Sequence, residues 1–234
     1  EGYAAWADRG CAGGGWQDVF PYVRGMERDG RDADAWHGRD GSLQVSDCLS
    51  NAAADRLFIE AGSQSGLTEI IDFNANFGEG LGQFQFTQYW DGSRKGERCS
   101  ASAAFLDPLP AHQKPHIRTG MLVDRLLVED GRVVSVVCWE SATQVTLTAR
   151  HEIILCAGTF GSPAVLQRSG FGDAEHLRSI DVHVHDDKPG IGANLQDHLQ
   201  CGLHYKCKDK RFMGLNPSGI LELLGAALHW RKSG

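Results

Sequence analysis

The residues with the most chemical potential lie between 152 and 167. Glu152-Ile153-Ile154-Leu155-Cys156-Ala157 is a short apolar run, as expected of a strand buried on both faces. It ends in Gly158, and Pro163 to Gln167 reads as the start of a helix. A strand that turns through a small residue and a glycine into a helix leaves main-chain N–H groups open to a ligand. Ligands of open α/β sheets sit at the C-terminal ends of strands, and helix N-termini favour anions such as pyrophosphate. The plainer alternative is that Gly158 only makes the turn. Spacing leaves both readings open and favours the plainer one.

Other reactive types are scattered. Asp197-His198 is the best-looking pair among ten histidines, yet adjacent residues of a helix or strand point apart, so His198 reads as structural. His183 and His185 lie two apart on one strand face, as a metal pair would, but no third ligand is evident. The seven cysteines form no CxxC pair and leave an odd one over, which points to free thiols in a reducing compartment and to no zinc site. Cys138 and Cys156 sit in apolar strand-like runs, where cysteine behaves as a small hydrophobe. Trp6, Trp16, Trp36 and Trp90 read as core or interface, and Lys206, Lys208, Lys210 and Arg211 as a solvated loop. No metal site is expected.

The elements that would position these groups follow from periodicity. Trp16, Val19, Phe20 and Val23 make a helical stripe, with Pro21 tolerated only near the first turn. Gly41 to Ser46 alternates as a short strand, and Asn51 to Gly66 reads as a helix capped by Asn51. Phe84 to Tyr89 alternates as a half-buried strand, and Ser102 to Leu106 as a short helix ended at Asp107-Pro108. The densest pattern is a β-meander. His116 to Gly120 with Met121 to Val128 reads as strand, Val133 to Trp139 as a second beyond the turn Glu129-Asp130-Gly131-Arg132, and Gln144 to Ala149 as a third. A helix over Ala174 to Ser179, a strand over Val182 to His185 and a helix over Ser218 to Trp230 complete the chain.

Bulk properties exclude several classes. The net charge is −7, which argues against gripping a nucleic-acid backbone. No run of 18 apolar residues occurs, so no transmembrane segment is expected. Glycine makes up 29 of 234 residues, about 12% against a usual value of roughly 7%, which suggests tight turns or main chain lying close to a large ligand. The opening Glu1-Gly2-Tyr3 and the closing Lys232-Ser233-Gly234 lead to the expectation of an internal fragment.

The stretch Gly158-Thr159-Phe160-Gly161-Ser162-Pro163-Ala164-Val165-Leu166-Gln167-Arg168-Ser169-Gly170-Phe171-Gly172 resembles the second signature of the glucose–methanol–choline (GMC) oxidoreductases. That signature runs small-small-x-x-Ser-Pro-x-aliphatic-aliphatic-x-x-Ser-Gly-aliphatic-Gly. Phe171 departs from it only in size at an apolar position. Further segments agree in order over about 1–215: Gly15-Trp16 with Asp18 to Tyr22, His37-Gly38 with Gly41-Ser42-Leu43, Arg98 to Ala101, Thr119 to Val123, and Pro189 to His198.

The resemblance implies an α/β chain with α+β character: part of an FAD-binding Rossmann-like domain with a β-meander, interleaved with part of a substrate-binding domain. Residues 1–115 would mix substrate-domain and lid elements with a flavin-domain helix. Residues 116–172 would be returning flavin-domain strands with the signature, and 173–234 would cross into the substrate domain. Val123, Ala157 and Gly158 match the family's cofactor contacts, with Val123 touching the adenine end of FAD through its main chain. The implied reaction is hydride transfer from an alcohol CH–OH carbon to flavin, giving aldehyde or ketone. A small-molecule alcohol would be the substrate, and oxygen or a quinone the electron acceptor. The choline-dehydrogenase-like branch fits a little better than the fungal oxidases, in a cytoplasmic or membrane-peripheral setting. The family's Gly-x-Gly-x-x-Gly fingerprint would precede Glu1 and its catalytic histidine would lie beyond Gly234, so no residue here is expected to be catalytic and the chain alone to be inactive. A degenerate interaction module and a flavoprotein of another family are the alternatives.

Overall fold

The computed structural model describes residues 2–31, 34–49, 53–75, 78–203 and 217–233. Asn51, Cys207 and the basic stretch Lys206, Lys208, Lys210 and Arg211, expected as a solvated loop, lie outside them. The chain divides into two compact units, residues 1–114 with 204–234, and residues 115–203. The stretch 173–203 thus packs with the meander and signature segment.

In the first unit, α1 (Gly2–Asp8) and α2 (Trp16–Met26) are joined by aromatic contacts. Ring centroids lie 5.7 Å apart for Tyr3 and Trp16, 4.9 Å for Trp16 and Phe20, and 5.9 Å for Phe20 and Trp36. The 3.6-residue stripe is therefore real, but Pro21 sits well past the first turn, inside the helix. Pro21 lies on an exposed face, so the hydrogen bond it cannot make leaves a carbonyl that water can reach. Strands β1 (Glu27–Asp29) and β2 (Leu43–Val45) pair in parallel, and α3 (Ala53–Gln64) follows. Ser102–Leu106 forms a π-helical turn with Ala103 and Ala104 buried. Phe84 to Tyr89 is not a strand: Phe86 bridges Ser46 and Gln88 bridges Arg98, two different partners, so no continuous ladder forms. Phe84 and Phe86 are both exposed, and the alternation has no single apolar face to bury. Helix α6 (Pro217–Ser233) ends the unit.

The loop from His37 to Gly41 lies against the end of α2. A Cβ at Gly38 would overlap the Arg24 carbonyl, and one at Gly41 would overlap the main chain of Met26. Gly41 N–H donates to the Glu27 carbonyl (3.0 Å) and Asp29 N–H to the Gly38 carbonyl (2.9 Å). Close approach, rather than conformational freedom, sets both glycines.

The second unit is built on the antiparallel order β3-β4-β5. β3 (Met121–Glu129) and β4 (Arg132–Glu140) meet at Asp130-Gly131, both with positive φ (48° and 76°), the backbone of a two-residue hairpin turn. β5 (Thr143–Thr148) pairs along β4. Helix α4 (Gly158–Arg168) packs on β3, and its chain continues through β6 (Phe171–Gly172) and α5 (Ala174–Ser179). Asp173 caps α5, accepting from His176 N–H at 2.8 Å. Leu126, Val137, Cys138, Val165, Ala174 and Leu177 form the core.

Two expectations fail here. Ile153 to Ala157 forms no strand and pairs with none among the described residues, and Ile154 is 77% exposed. A parallel strand exists only through its neighbours, and no neighbour stands beside this one. Cys156 is accordingly exposed, while Cys138 is buried. The strand expected over Val182 to His185 falls instead at β7 (Asp186–Asp187), parallel to β6. Helix α4 also starts earlier than expected, at Gly158.

Gly41→Ala should lower the stability of the first unit by about 2 kcal/mol through overpacking against main chain. Gly25→Ala, whose Cβ meets nothing within 4 Å, should be neutral or stabilising. Urea unfolding followed by tryptophan fluorescence checks the pair.

Candidate functional site

Ala157 and Gly158 stand at the N-terminal end of α4. Gly158 has φ 79°, and a Cβ there would meet nothing within 4 Å. The Ala157 N–H donates to Ser162 Oγ at 3.0 Å, which ties the incoming chain to the first turn. No side chain caps this helix and its first turn holds no acidic residue. The open N–H groups and the positive end of the helix dipole therefore face no competing negative charge from the turn itself.

Val123 lies on β3, whose other edge pairs with β4. The register jumps between Val123 and Arg125, so Asp124 is an extra residue, a β-bulge. The far edge of β3 is held by the end of α4. Ser169 Oγ donates to the Val165 carbonyl (2.5 Å) and accepts from Leu126 N–H (2.8 Å). Arg168 Nε donates to the Asp124 carbonyl (2.7 Å) and Nη2 approaches the Val123 carbonyl at 3.4 Å. Val123 and the Ala157–Gly158 pair thus border opposite ends of one helix in one unit. Val123 offers main-chain polar groups at a strand edge, and Ala157–Gly158 an unopposed helix N-terminus. That donor set fits a dinucleotide: a flat heterocycle with donors and acceptors at its rim, joined to an anion.

A family model described as GMC oxidoreductase matches residues 1–200. The oxygen-dependent choline dehydrogenase of Paraburkholderia phymatum is 36% identical over 237 residues, covering 99% of this chain and 40% of that protein. That of Cronobacter sakazakii is 39% identical over 198 residues, covering 82% of this chain and 34% of that protein. Pyridoxine 4-oxidase from Mesorbium loti superposes with a TM-score of 0.66 at 28% identity, over 80% of this chain and 36% of that one. The chain belongs to the GMC oxidoreductase family. It spans 34 to 40% of the length of these curated relatives. Members of the GMC family are FAD-dependent, and the mixed helix–strand architecture is that of a partial Rossmann-like flavin domain.

In this GMC chain the other histidines noted above do not assemble a site. His183 and His185 meet edge-on with centroids 4.7 Å apart, both exposed. His185 instead lies against Phe171. His198 is exposed, its N–H bonded to the side chain of Asp197.

His37 is the residue that sequence reasoning undervalued. It is 3% exposed and ringed by carboxylates in the first unit. Its Nδ1 lies 3.1 Å from Glu27 and 3.5 Å from Asp29, and its Nε2 lies 2.8 Å from Asp72. Glu27, Asp29 and His37 are close enough to share a metal ion. Their ligand atoms are already engaged, however. Asp29 accepts from Arg31 N–H (2.6 Å) and Gln85 Nε2 (2.8 Å), and Glu27 from Gly38 N–H (3.0 Å). The imidazole itself fills the cation's place between Glu27 and Asp72, and Arg31 ion-pairs with Asp72 at 3.2 Å. Burial disfavours the charged ring, but Glu27 and Asp72 outweigh it and raise the His37 pKa. Burial likewise opposes ionised Asp72, but the N–H groups of Asn74 and Ala75, with His37, lower its pKa. Only the glycine spacing after His37 hinted at this cluster, because its members lie far apart in sequence.

The sign of the linkage follows. A raised His37 pKa gives stability that is full below the ordinary value of 6.5 and is lost as pH rises through the raised one. A lowered Asp72 pKa gives stability present above 3.8 and lost as pH falls through the lowered value. His37→Gln should therefore cost about 3 kcal/mol between those limits, and the difference from wild type should shrink at alkaline pH. Urea midpoints measured from pH 5 to 10 test this; a pH-independent difference would refute the charged histidine.

Proposed function

We propose that this chain forms the adenosine side of the FAD site in a flavin-dependent alcohol oxidoreductase of the choline-dehydrogenase-like branch. The observation that carries the reading is the pairing of the Val123 strand edge with the open Ala157–Gly158 helix end, inside a segment that matches the GMC family. The family's pyrophosphate loop and catalytic histidine have no counterpart among these residues, and the coverage of the relatives leaves room for both in a longer protein. Residues 116–172 then serve as the returning flavin-domain strands, with substrate-side elements before and after them.

Bound FAD would supply the hydride acceptor for oxidation of a CH–OH carbon to an aldehyde or ketone, the hydroxyl proton passing to a general base. The chain's own contribution is binding and orientation: Val123 at the adenine and the Ala157–Gly158 turn beside the adenosine. The substrate is a small alcohol of the kind named by the relatives, choline or a ring-borne hydroxymethyl group. Oxygen or a quinone takes the electrons, and the name of the choline-dehydrogenase relatives favours oxygen. No helix among the described residues is long and apolar enough to cross a membrane. With six described cysteines free, we place the protein in the cytoplasm, in solution or against a membrane surface.

FAD titration monitored by flavin fluorescence tests the reading. The protein encoded by the full reading frame should bind FAD stoichiometrically, and the 234-residue chain alone only weakly. Gly158→Val in the full protein should weaken binding roughly tenfold, because a β-branched residue resists the left-handed conformation. Tight binding by the isolated chain, or unchanged affinity in the variant, would count against it.

A further inference from the structure

The bulge in β3 and the arginine beside it are two halves of one device. In a regular strand successive carbonyls point to opposite edges, while the N–H and C=O of one residue share an edge. The extra residue Asp124 turns the carbonyls of Val123 and Asp124 to the same edge, away from β4. Arg168 meets both, at 3.4 Å and 2.7 Å. A planar guanidinium can reach two successive carbonyls of one strand only where such a bulge exists. Two residues beyond Asp124, Leu126 N–H points outward to Ser169 Oγ at 2.8 Å, which resumes the alternation after the bulge. The Arg168–Asp124 side-chain contact is looser, 3.7 Å, and Asp124 pairs more closely with Arg125 at 2.6 Å. The short contact of Arg168 is thus to main chain.

We propose that Arg168 is a positioning residue: by clamping the Val123 and Asp124 carbonyls it fixes the bulge that turns the Val123 main chain to the edge of β3 away from β4, where the adenine of FAD is held. The clamp itself stands on the geometry of β3 and α4; its link to adenine rests on the function proposed above. A carbonyl oxygen has two lone pairs, so the Val123 carbonyl can accept from the adenine beside its 3.4 Å contact with Arg168. The Val123 N–H lies on the same edge as its carbonyl, so donor and acceptor stand side by side.

The test uses the full-length holoprotein and the variants Arg168→Ala, Arg168→Lys and Asp124→Asn. Two readouts are taken: amide hydrogen exchange over 123–126, and affinities for FAD, ADP and FMN. Arg168→Ala should speed exchange at these amides and weaken FAD and ADP by roughly tenfold. FMN, which lacks adenosine, should bind as before. Lysine should restore only part of the loss, and Asp124→Asn should behave as wild type. Wild-type protection and wild-type ADP affinity in Arg168→Ala would overturn the proposal. So would faster exchange with an unchanged preference for FAD over FMN, or a full loss in Asp124→Asn, which would assign the effect to the ion pair. A wild type with no affinity for FAD or ADP would remove the cofactor reading while amide exchange still decided the clamp.

Discussion

One hydroxyl ties the second unit together. Ser169 Oγ sits between the Val165 carbonyl at the end of α4 and the Leu126 N–H on the edge of β3, and it is buried. The Leu126 N–H faces the outer edge of β3 and has no ladder partner there, while the Val165 carbonyl already accepts from the Ser169 N–H at 3.1 Å and takes the hydroxyl as a second donor. Leaving the Leu126 N–H buried and unpaired would cost about 1–3 kcal/mol. Docking α4 on β3 without an acceptor at this position would do that. Serine at this position solves the problem with one atom, and Arg168 next to it extends the same solution to the two carbonyls of the bulge. The placement of Val123 at the strand edge and of Ala157–Gly158 at the far end of α4 follows from that docking.

The first unit is organised by charge. Asp29 is fully buried and His37 nearly so, with Glu27 and Asp72 on either side of the ring. Three carboxylates so close would repel one another if the ring were neutral, and burial would make that repulsion worse. The protonated imidazole and Arg31 resolve it. The loop that brings His37 there must run against main chain, and Gly38 and Gly41 permit the approach. The His-Gly-x-x-Gly spacing is therefore a packing signal for a buried ion pair. Its chemistry is structural, since both ring nitrogens face carboxylates of the chain itself.

Legibility from sequence followed the range of the interactions. The meander was legible because alternation and an Asp-Gly turn are local, and β4 and β5 fall within a few residues of expectation, whereas β3 begins only at Met121 and His116 to Gly120, which has no partner strand among the described residues, forms none. The signature segment made the family legible, and the family identified Val123, Ala157 and Gly158 as candidates. The bulge at Asp124 was not legible, because a register shift is a property of two strands and one strand's alternation hides it. The His37 cluster draws on positions 27, 29, 37 and 72, whose proximity only the tertiary structure supplies. Phe84 to Tyr89 failed for the converse reason: its period-two pattern is local, but its partners Ser46 and Arg98 belong to different segments.

The run Ile153 to Ala157 carries the last step. Its composition is that of a strand buried on both faces, yet Ile154 is 77% exposed and no described strand pairs with it. Phe160, one turn into α4, is also 77% exposed. Ser162 holds the Ala157 N–H and α4 is anchored on β3, so the exit of the run and the helix beyond it are fixed although the run itself joins no sheet among the described residues. Ile154 before the turn at Gly158 and Phe160 after it thus present apolar surface to water, and the isolated chain should bury that surface by association.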